Sequence, residues 1–549
     1  LRCKVIIYII SFNHVMPKSN VIKTYDVNYY FTSQAQTSLR TYFGRVLKGQ
    51  PNVYDTPFAK GESTSSLLKA WNEELVSISD KWPSLYAFEN DMAAKVGPLS
   101  VMAPLRERIK DVESYYEGIL LPSEPVLHSA VAAVVSEWSE ARGLRIRNKS
   151  YTIERMKKST NSGSPYFTKR RKALENYPNV LDFRFNQSGT TDNYDNIAVL
   201  GWRGQEGGHS KEDVKQRVVW MFPMAVNIAE LQVYQPLIEA AQRFELVPAW
   251  LSMESVDRRI TKLFDTKSSD DLVICTDFSK FDQHFNKQLS SVAMQIIEAL
   301  FKGDSRLLDW KMKIFPVKYQ IPLALDMTRC TQGNHGMGSG SGGTNADETL
   351  AHRALQYEAA ILQGQRLNLN SQCLGDDGIL TYPGITVEDV VEAYSKHGLE
   401  MNTSKQYASS QDCVYLRRWH HTDYRIEGIC AGVYSTNRAL GRLRYLERYM
   451  DPEIWGPKAV ALRQLSILEN VKYHPLRDQF AEFCMKRDKY RLGIDIPNFL
   501  ANIESEVKEV IDYMPDFMGY TKTLQSEGDP TYGINSWWIV NYLKSKAEG

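Results

Sequence analysis

Two short apolar runs that each end in an acidic turn constrain this chain more than any other feature. Leu272-Val-Ile-Cys-Thr276 runs into Asp277, the first acid of an Asp277-xxxx-Asp282 pair, and Asp376 of Gly375-Asp376-Asp377 follows 99 residues after Asp277. β-Branched runs of this length read as buried strands. Ser371-Gln-Cys-Leu374 and Ile379-Leu-Thr-Tyr382 flank the second turn, so that segment reads as a hairpin with both carboxylates at its tip. A lone Gly-Asp-Asp needs no function beyond a β-turn, but two acid-tipped strand ends can meet. Carboxylates of Asp277 and Asp376 on adjacent strands would bridge two Mg²⁺ ions about 3.5 to 4 Å apart, one activating a 3′-hydroxyl and the other supporting a pyrophosphate leaving group.

The rest of the chain permits this chemistry and excludes others. With 549 residues, 43% hydrophobic and 24% charged, it can bury one large core or several, and disorder does not dominate. The 66 basic side chains are balanced by 65 acidic ones, so a nucleic acid must be held by a local surface and not by the field of the whole protein. Seven Cys without CxxC pairs suit free thiols in a reducing compartment, and no zinc spacing joins them to the ten His. Leu1 to Phe12 carries an apolar run much shorter than the roughly 20 residues of a membrane span, and residues 1–15 read as a leader or reading-frame extension.

Residues 62–115 read as helices cut by Pro83, Pro98 and Pro104, and Ala130 to Leu144 as another helix. From Arg142 to Lys172 there are eleven basic residues and one acid, Glu154, interleaved with Tyr151, Tyr166 and Phe167. That run is either a solvated face or a phosphate and base-stacking track. Asp182 to Gly208 reads as loop or hairpin, and Gly333 to Gly343, with six glycines in eleven residues, as a loop feeding a long helix from Thr344. Arg438, Arg442, Arg444 and Arg448 among Leu440, Leu443 and Leu446 give a helix whose basic face would track a product duplex. Trp537-Trp538 either docks the chain terminus or supports an initiating nucleotide.

Seven motifs between residues 160 and 418 carry a resemblance to viral RNA-dependent RNA polymerases of the right-hand type, most similar to those of picobirnaviruses. These are Thr160-Asn-Ser162-Gly163-Ser-Pro165-Tyr166, Lys215-Gln-Arg217-Val-Val, Asp277-Phe-Ser-Lys-Phe-Asp282, Ser339-Gly340-Ser-Gly-Gly-Thr344-Asn345, Gly375-Asp376-Asp377, Lys405 and Cys413-Val-Tyr-Leu-Arg417-Arg418. The resemblance implies an α+β closed right hand of fingers, palm (an antiparallel sheet with helices) and thumb. It implies an N-terminal extension over 1–115 bridging fingers and thumb, fingers over 116–270 and 301–325, palm over 271–300 and 326–412, and thumb and tail over 413–549. Asp277, Asp376 and Asp377 are then the metal ligands for two Mg²⁺, with Mn²⁺ as a substitute, and Lys405 the proton donor to pyrophosphate, although a lysine ending a helix is favourable for dipole reasons alone.

The same resemblance implies that Lys215 and Arg217 lie over the triphosphate, and the five fixed donors of Arg217 suit phosphate oxygens. It implies that Asp282, Ser339, Gly340, Thr344 and Asn345 bind the nucleotide and its ribose, while Thr344 and Asn345 equally suit capping of the next helix. It further implies that Ser162, Gly163 and Pro165 guide template, and that Arg417 and Arg418 grip the primer strand. Many positive-strand relatives have Asn nine residues after the Ser of the glycine motif. Here that position is Glu348, which is set aside from the sugar-binding set. The implied partners are template and product RNA, ribonucleoside triphosphates and a viral capsid protein, with no membrane span, in the virion interior and host cytoplasm. A palm polymerase using deoxyribonucleotides and a non-catalytic RNA-binding protein are the alternatives.

Overall fold

The structure, a computed structural model, describes residues 21–176, 196–451, 453, 455–510 and 533–548. The suggested leader and the expected loop from Asp182 to residue 195 lie outside the described residues. At the centre is an antiparallel sheet of four strands in the order β7 (Gln372–Leu374), β8 (Asp377–Leu380), β4 (Val273–Thr276) and β9 (Tyr407–Ser409). Strand β4 is buried at all four positions, which its unbroken Val-Ile-Cys-Thr run anticipates. Leu374 pairs with Asp377, so Gly375 and Asp376 form a two-residue turn, and Gly375 takes φ +57°, a conformation glycine adopts without strain. Across the sheet Thr276 pairs with Gly378, which brings the end of β4 beside that turn.

Helix Thr344–Leu362 packs against β7 and against helices His128–Glu137, Lys287–Leu300 and Val387–Ser395. It is buried almost throughout, polar side chains included, because those polar groups have backbone partners. Gln356 donates to the carbonyls of Gln372 and Ile379 at 2.9 and 3.2 Å, and Arg353 to the carbonyl of Ser371 at 2.6 Å while also bonding Glu137. Buried polar groups with partners of this kind cost little and fix one register of helix against hairpin.

A second sheet runs β1 (Ile22–Thr24), β6 (Arg329–Thr331), β5 (Leu323–Ala324), β2 (Ala198–Gln205) and β3 (Lys215–Met221), with only the β2–β5 pair parallel. Alternation decides its two faces. Ala198 and Leu200 join Val112, Tyr115 and Tyr116 of helix Leu105–Glu117, whereas Ile197 and Val199 join Leu39 and Phe43 of helix Ser33–Lys48. A third sheet holds β10 (Asp412–Tyr415), β11 (Arg418–His421) and β12 (Val433–Tyr434).

Two of the three prolines expected to cut this region start helices, Pro83 opening Pro83–Lys95 and Pro104 preceding Leu105–Glu117, while Pro98 lies in the irregular stretch between them. Helices Thr64–Leu75 and Pro83–Lys95 share a core with the C-terminal helices, where Trp71 stacks edge-on to Phe480 and donates to Thr436 at 2.8 Å. The helix expected from Ala130 to Leu144 stops at Glu137. Trp138 leads into a short 3₁₀ turn, Gly143 sits at φ +85°, and Gly143 and Leu144 bond the Leu300 carbonyl, so the basic stretch leaves as a loop. Among the described residues no helix is long and apolar enough to cross a membrane.

Candidate active site

The two acid turns meet as their strands pair. Gln406 clamps the backbone of Asp277, accepting from its N–H at 2.7 Å and donating to its carbonyl at 2.8 Å and to that of Asn402 at 3.0 Å. Opposite, Gly375 is held by helix Thr344–Leu362: its N–H donates to Thr349 Oγ1 at 2.9 Å, and its carbonyl accepts from His352 Nδ1 at 2.8 Å. Burial lowers His352 to about 4, so its ring is a neutral donor. Asp277 and Asp376 are both exposed. Protein walls around Asp376 push its pKa up, as do Asp282 and Asp277, while Arg217 opposes them.

Asp377 is placed differently. Burial and then Asp376 raise it to about 7, and its Oδ2 accepts from the Leu416 N–H at 2.8 Å. That bond joins the central hairpin to the β10–β11 turn, where Leu416 and Arg417 both hold positive φ, 53° and 59°. Left-handed conformations at non-glycine residues cost roughly 1 to 2 kcal/mol each and persist where surrounding bonds hold them. Among the described residues no three His, Cys, Asp or Glu side chains converge as a ready ligand set. The three expected metal-binding acids are therefore an open pair, Asp277 and Asp376, and a third held by a backbone amide. The open pair offers hard oxygens and an excess of like charge, which is donor chemistry that fits Mg²⁺.

Facing the acids is a cavity of about 240 Å³ lined by Lys95, Lys215, Arg217, Asp377, Arg417 and Arg438, among others. Lys215 and Arg217 project from β3, exposed, as the sequence predicts, and Arg217 Nε is oriented by Gln205 Oε1 at 2.6 Å. Burial, then Lys95, Arg217 and Arg417, lower the pKa of Lys215. Cations crowded in this way await a polyanion. Part of the crowd is already neutralised. Glu206 takes Arg438 at 2.9 Å, Arg417 at 3.6 Å and Arg442 at 3.7 Å. Arg444 donates to the carbonyls of Phe58, Ala59 and Glu62. The arginine face expected to follow a product duplex is thus largely bound within the protein.

The glycine loop lies against β3 because side chains are missing from it. A Cβ on Gly340 would stand 1.6 Å from the Trp220 carbonyl oxygen, and one on Gly338 2.9 Å from the Phe222 ring. Ser339 Oγ accepts from Trp220 N at 3.4 Å. Below the loop, buried Glu230 accepts from Ser341 Oγ and from Gly342 N, and fully buried Lys318 pairs with Asp347 at 3.0 Å. Thr344 does not cap the helix; its hydroxyl closes the loop onto the carbonyls of Gly338 and Ser341, and Gly343 stands at the N-cap. Asn345 does not cap it either. Its Oδ1 accepts from Trp250 Nε1 at 2.7 Å, while its amide nitrogen is 3.8 Å from the place of a Gly375 Cβ.

Glu348, set aside on sequence, is brought into the site. It is buried, and burial together with the nearby charges of the half-buried Asp282 and of Asp376 raises its pKa. The signal was the helical spacing of Asn345, Glu348, Thr349 and His352, which share the face turned to Gly375. Gln406 was also missed, since nothing local marks a glutamine as a backbone clamp. Lys405, at the end of the 3₁₀ turn Thr403–Lys405, is exposed beside it.

Four residues expected to contact RNA have partners within the protein. Ser162 is buried and exchanges bonds with Thr168, its Oγ accepting from Thr168 N at 3.1 Å. Gly163, at φ +61°, leaves a Cβ only 2.4 Å from the Phe222 carbonyl oxygen, and the Pro165 carbonyl accepts from Thr32 N at 3.1 Å. Ser162 and Gly163 are buried in this loop, and Pro165 is half-buried. Arg418 is buried and forks onto Asp257 at 2.9 and 3.0 Å, so its donors are taken. Its neighbour Arg417 faces the cavity instead. The tail takes the docking role: Trp537 is buried in the C-terminal core, and the backbone N–H groups of Trp538 and Ile539 donate to Glu469 at 3.2 and 3.0 Å.

The chain is similar to known proteins over most of its length. The profile of the family described as viral RNA-dependent RNA polymerase matches residues 100–479. A curated human picobirnavirus protein described as a potential RNA-dependent RNA polymerase is 58% identical over 518 residues, covering 92% of this chain and 96% of that one. The crystal structure of a human picobirnavirus RNA-dependent RNA polymerase superposes with a TM-score of 0.89 at 55% identity, over 95% of this chain and 98% of that one. An insertion-loop deletion mutant of such an enzyme gives 0.86 at 54% identity, with the same coverage.

Proposed function

This chain belongs to the viral RNA-dependent RNA polymerases, and we propose that it copies RNA by nucleotidyl transfer at Asp277 and Asp376 during replication and transcription of a double-stranded RNA viral genome. The fold is that of the right-hand polymerases, and its activity class is nucleotidyltransferase. In our assignment the central sheet with helix Thr344–Leu362 is the palm, within the boundaries drawn from the sequence. The observation that carries the mechanism is the exposed pair Asp277 and Asp376, close enough to Lys215 and Arg217 to feel their charge.

Asp277 and Asp376 would hold Mg²⁺, or Mn²⁺ in its place, which when bound acidifies the attacking 3′-hydroxyl and neutralises triphosphate charge. Arg217, aimed by Gln205, receives the phosphate oxygens with Lys215. Lys405, exposed next to the clamp on Asp277, delivers a proton to departing pyrophosphate. The glycine loop and Asp282 form the floor for base and sugar. Template and product RNA and ribonucleoside triphosphates are its ligands. A capsid protein as partner, and the virion interior and host cytoplasm as settings, follow from the resemblance to picobirnavirus enzymes.

Asp376→Asn tests the assignment. Nucleotide incorporation should fall by at least about 1,000-fold, while RNA affinity stays within about twofold, because a lost metal ligand affects the reacting centre and not the backbone track. Wild-type incorporation by this variant at saturating triphosphate would reject the role of Asp376.

A further inference from the structure

Helix Met224–Arg243 stands between the basic loop of residues 157–170 and the glycine loop, and it is bonded to both. At its start Met224 N donates to the Ser162 carbonyl at 2.8 Å. Asn227 and Glu230, one turn apart on one face, are 2% and 0% exposed. Asn227 Nδ2 donates to Glu230 Oε1 at 3.1 Å and to the Gly340 carbonyl at 3.2 Å, while its Oδ1 accepts from Arg170 Nη2 at 2.6 Å. Arginine can only donate and a carbonyl can only accept, so the amide has one orientation that serves both. Glu230 accepts in turn from Ser341 Oγ and, at 3.1 Å, from Gly342 N. Arg170 is itself fixed to the basic loop: its backbone N–H donates to the Thr160 carbonyl at 2.9 Å and its Nη1 to the Lys157 carbonyl at 2.9 Å. One chain of hydrogen bonds therefore runs from the basic loop through buried Asn227 to three consecutive residues of the glycine loop.

We propose that Asn227 is a positioning residue for nucleotide binding: it sets the glycine loop from the basic loop, so that the hold of the glycine loop on the incoming nucleotide depends on Arg170. The inference rests on the polymerase reading above, in which the glycine loop is the floor beneath base and sugar. Gly340 is pinned from two sides, its Cα against the Trp220 carbonyl of β3 and its own carbonyl on Asn227. Loss of the second hold leaves the loop free to move away from β3, where it has no side chain at Gly340 to retain it. Arg170 governs that hold through the amide's orientation. Without Arg170 the buried Oδ1 of Asn227 lacks its donor, and an amide that turns to find another takes its N–H away from Gly340 and Glu230. A buried polar network keeps one arrangement only while each member is satisfied. Arg170 belongs to the basic run from Arg142 to Lys172, and its task in that run is internal: it braces the loop beneath the nucleotide.

The experiment is single-nucleotide extension of a primed RNA template by the full chain with Mg²⁺ at saturating RNA. The ribonucleotide kcat and KM are measured separately, and RNA affinity is titrated against salt. Arg170→Met should raise the nucleotide KM by about 3- to 10-fold, the worth of one hydrogen bond, and leave kcat and RNA affinity within about twofold. A merely structural loss would lower the fraction of active enzyme, and so kcat, without moving KM. Asn227→Leu should raise KM by at least as much, and Arg170→Met/Asn227→Leu no further than Asn227→Leu alone, because Arg170 acts only through Asn227. KM changes that multiply in the double variant overturn the proposal. So does an Arg170→Met enzyme with wild-type KM, weaker RNA binding and a salt slope lower by about one, which would make Arg170 a plain phosphate contact. Should Asn227→Leu not fold, Asn227→Asp takes its place, since Asp keeps Arg170 and lacks the N–H for Gly340; a wild-type KM in that variant also overturns it. An active wild type with unchanged KM in both single variants sinks this inference alone, whereas a wild-type chain that extends no primer would refute the polymerase reading itself and the role of Asn227 with it.

Discussion

Arg418→Ala should damage the fold and leave RNA binding nearly untouched. The Arg418 guanidinium gives Asp257 two bonds, at 2.9 and 3.0 Å, and donates to the Gly432 carbonyl at 3.2 Å. Asp257 is 3% exposed, and without Arg418 it retains the Gly432 N–H at 3.1 Å. His420 Nδ1 stands 3.9 Å away, but burial lowers that ring to about 4, so it supplies no charge near neutrality. Leaving one member of a buried ion pair without its partner costs about 3 to 5 kcal/mol. For a cooperative unit of some 150 to 250 residues that lowers the thermal midpoint by about 6 to 20 °C. Differential scanning calorimetry of the full chain checks this, and Arg418→Met/Asp257→Leu should recover most of the loss, because no charge is then stranded. RNA affinity titrated against salt should keep its slope in Arg418→Ala, whereas a phosphate-contacting arginine would lower the slope by about one. An unchanged midpoint with a shallower salt slope would refute the reasoning and return Arg418 to the RNA surface.

Gly340→Ala should reduce incorporation by about 100-fold while RNA binding changes little, because the new Cβ would sit 1.6 Å from the Trp220 carbonyl oxygen and displace the loop from β3; primer-extension kinetics and filter binding measure the two effects. Glu89 predicts a pH dependence: burial raises it from 4.5 to about 7, a folded-state value above the unfolded one, so its contribution is full below about pH 4.5 and is lost as pH rises through about 7. Glu89→Gln should remove about 3 kcal/mol of this decline between pH 5 and pH 9, read as the shift in urea midpoint at each pH.

What was legible in the sequence was whatever local chemistry forces. An unbroken run such as Val273–Thr276 can only be a central strand, and a glycine between apolar flanks and two acids can only be a tight turn. The placement of Asp277 and Asp376 at strand ends therefore followed from pattern, whereas Lys215 and Arg217 were found only through the family resemblance. The sequence did not reveal which polar groups face protein. Ser162 and Arg418 have the composition of an RNA contact and the burial of a core residue. The arginines after Arg418 look like a free basic face until Glu206, 232 residues away from Arg438, closes on them. Pairings across such distances depend on the assembled fold and leave no local trace.

The same limit explains why Glu348 escaped notice. It was set aside because many relatives have Asn at that position, and nothing local marks it as facing the acid turn. Helix Thr344–Leu362 reverses that judgement because it serves the acid turn with one face: Asn345, Glu348, Thr349 and His352 all reach Gly375 or its flanks. Thr349 and His352 hold the turn's backbone, so the distance from Glu348 to the turn is fixed by the rise of the helix and not by side-chain freedom. Asp282 is fixed from the other side, where its carbonyl accepts from Met337 N at 2.8 Å just ahead of the glycine loop. Asp282 and Glu348 are thus carried by two separate supports, the helix that holds the acid turn and the segment bonded to the glycine loop. Because Thr349 and His352 fix the turn's backbone, a change at either should shift Asp376 and lower turnover without touching a carboxylate.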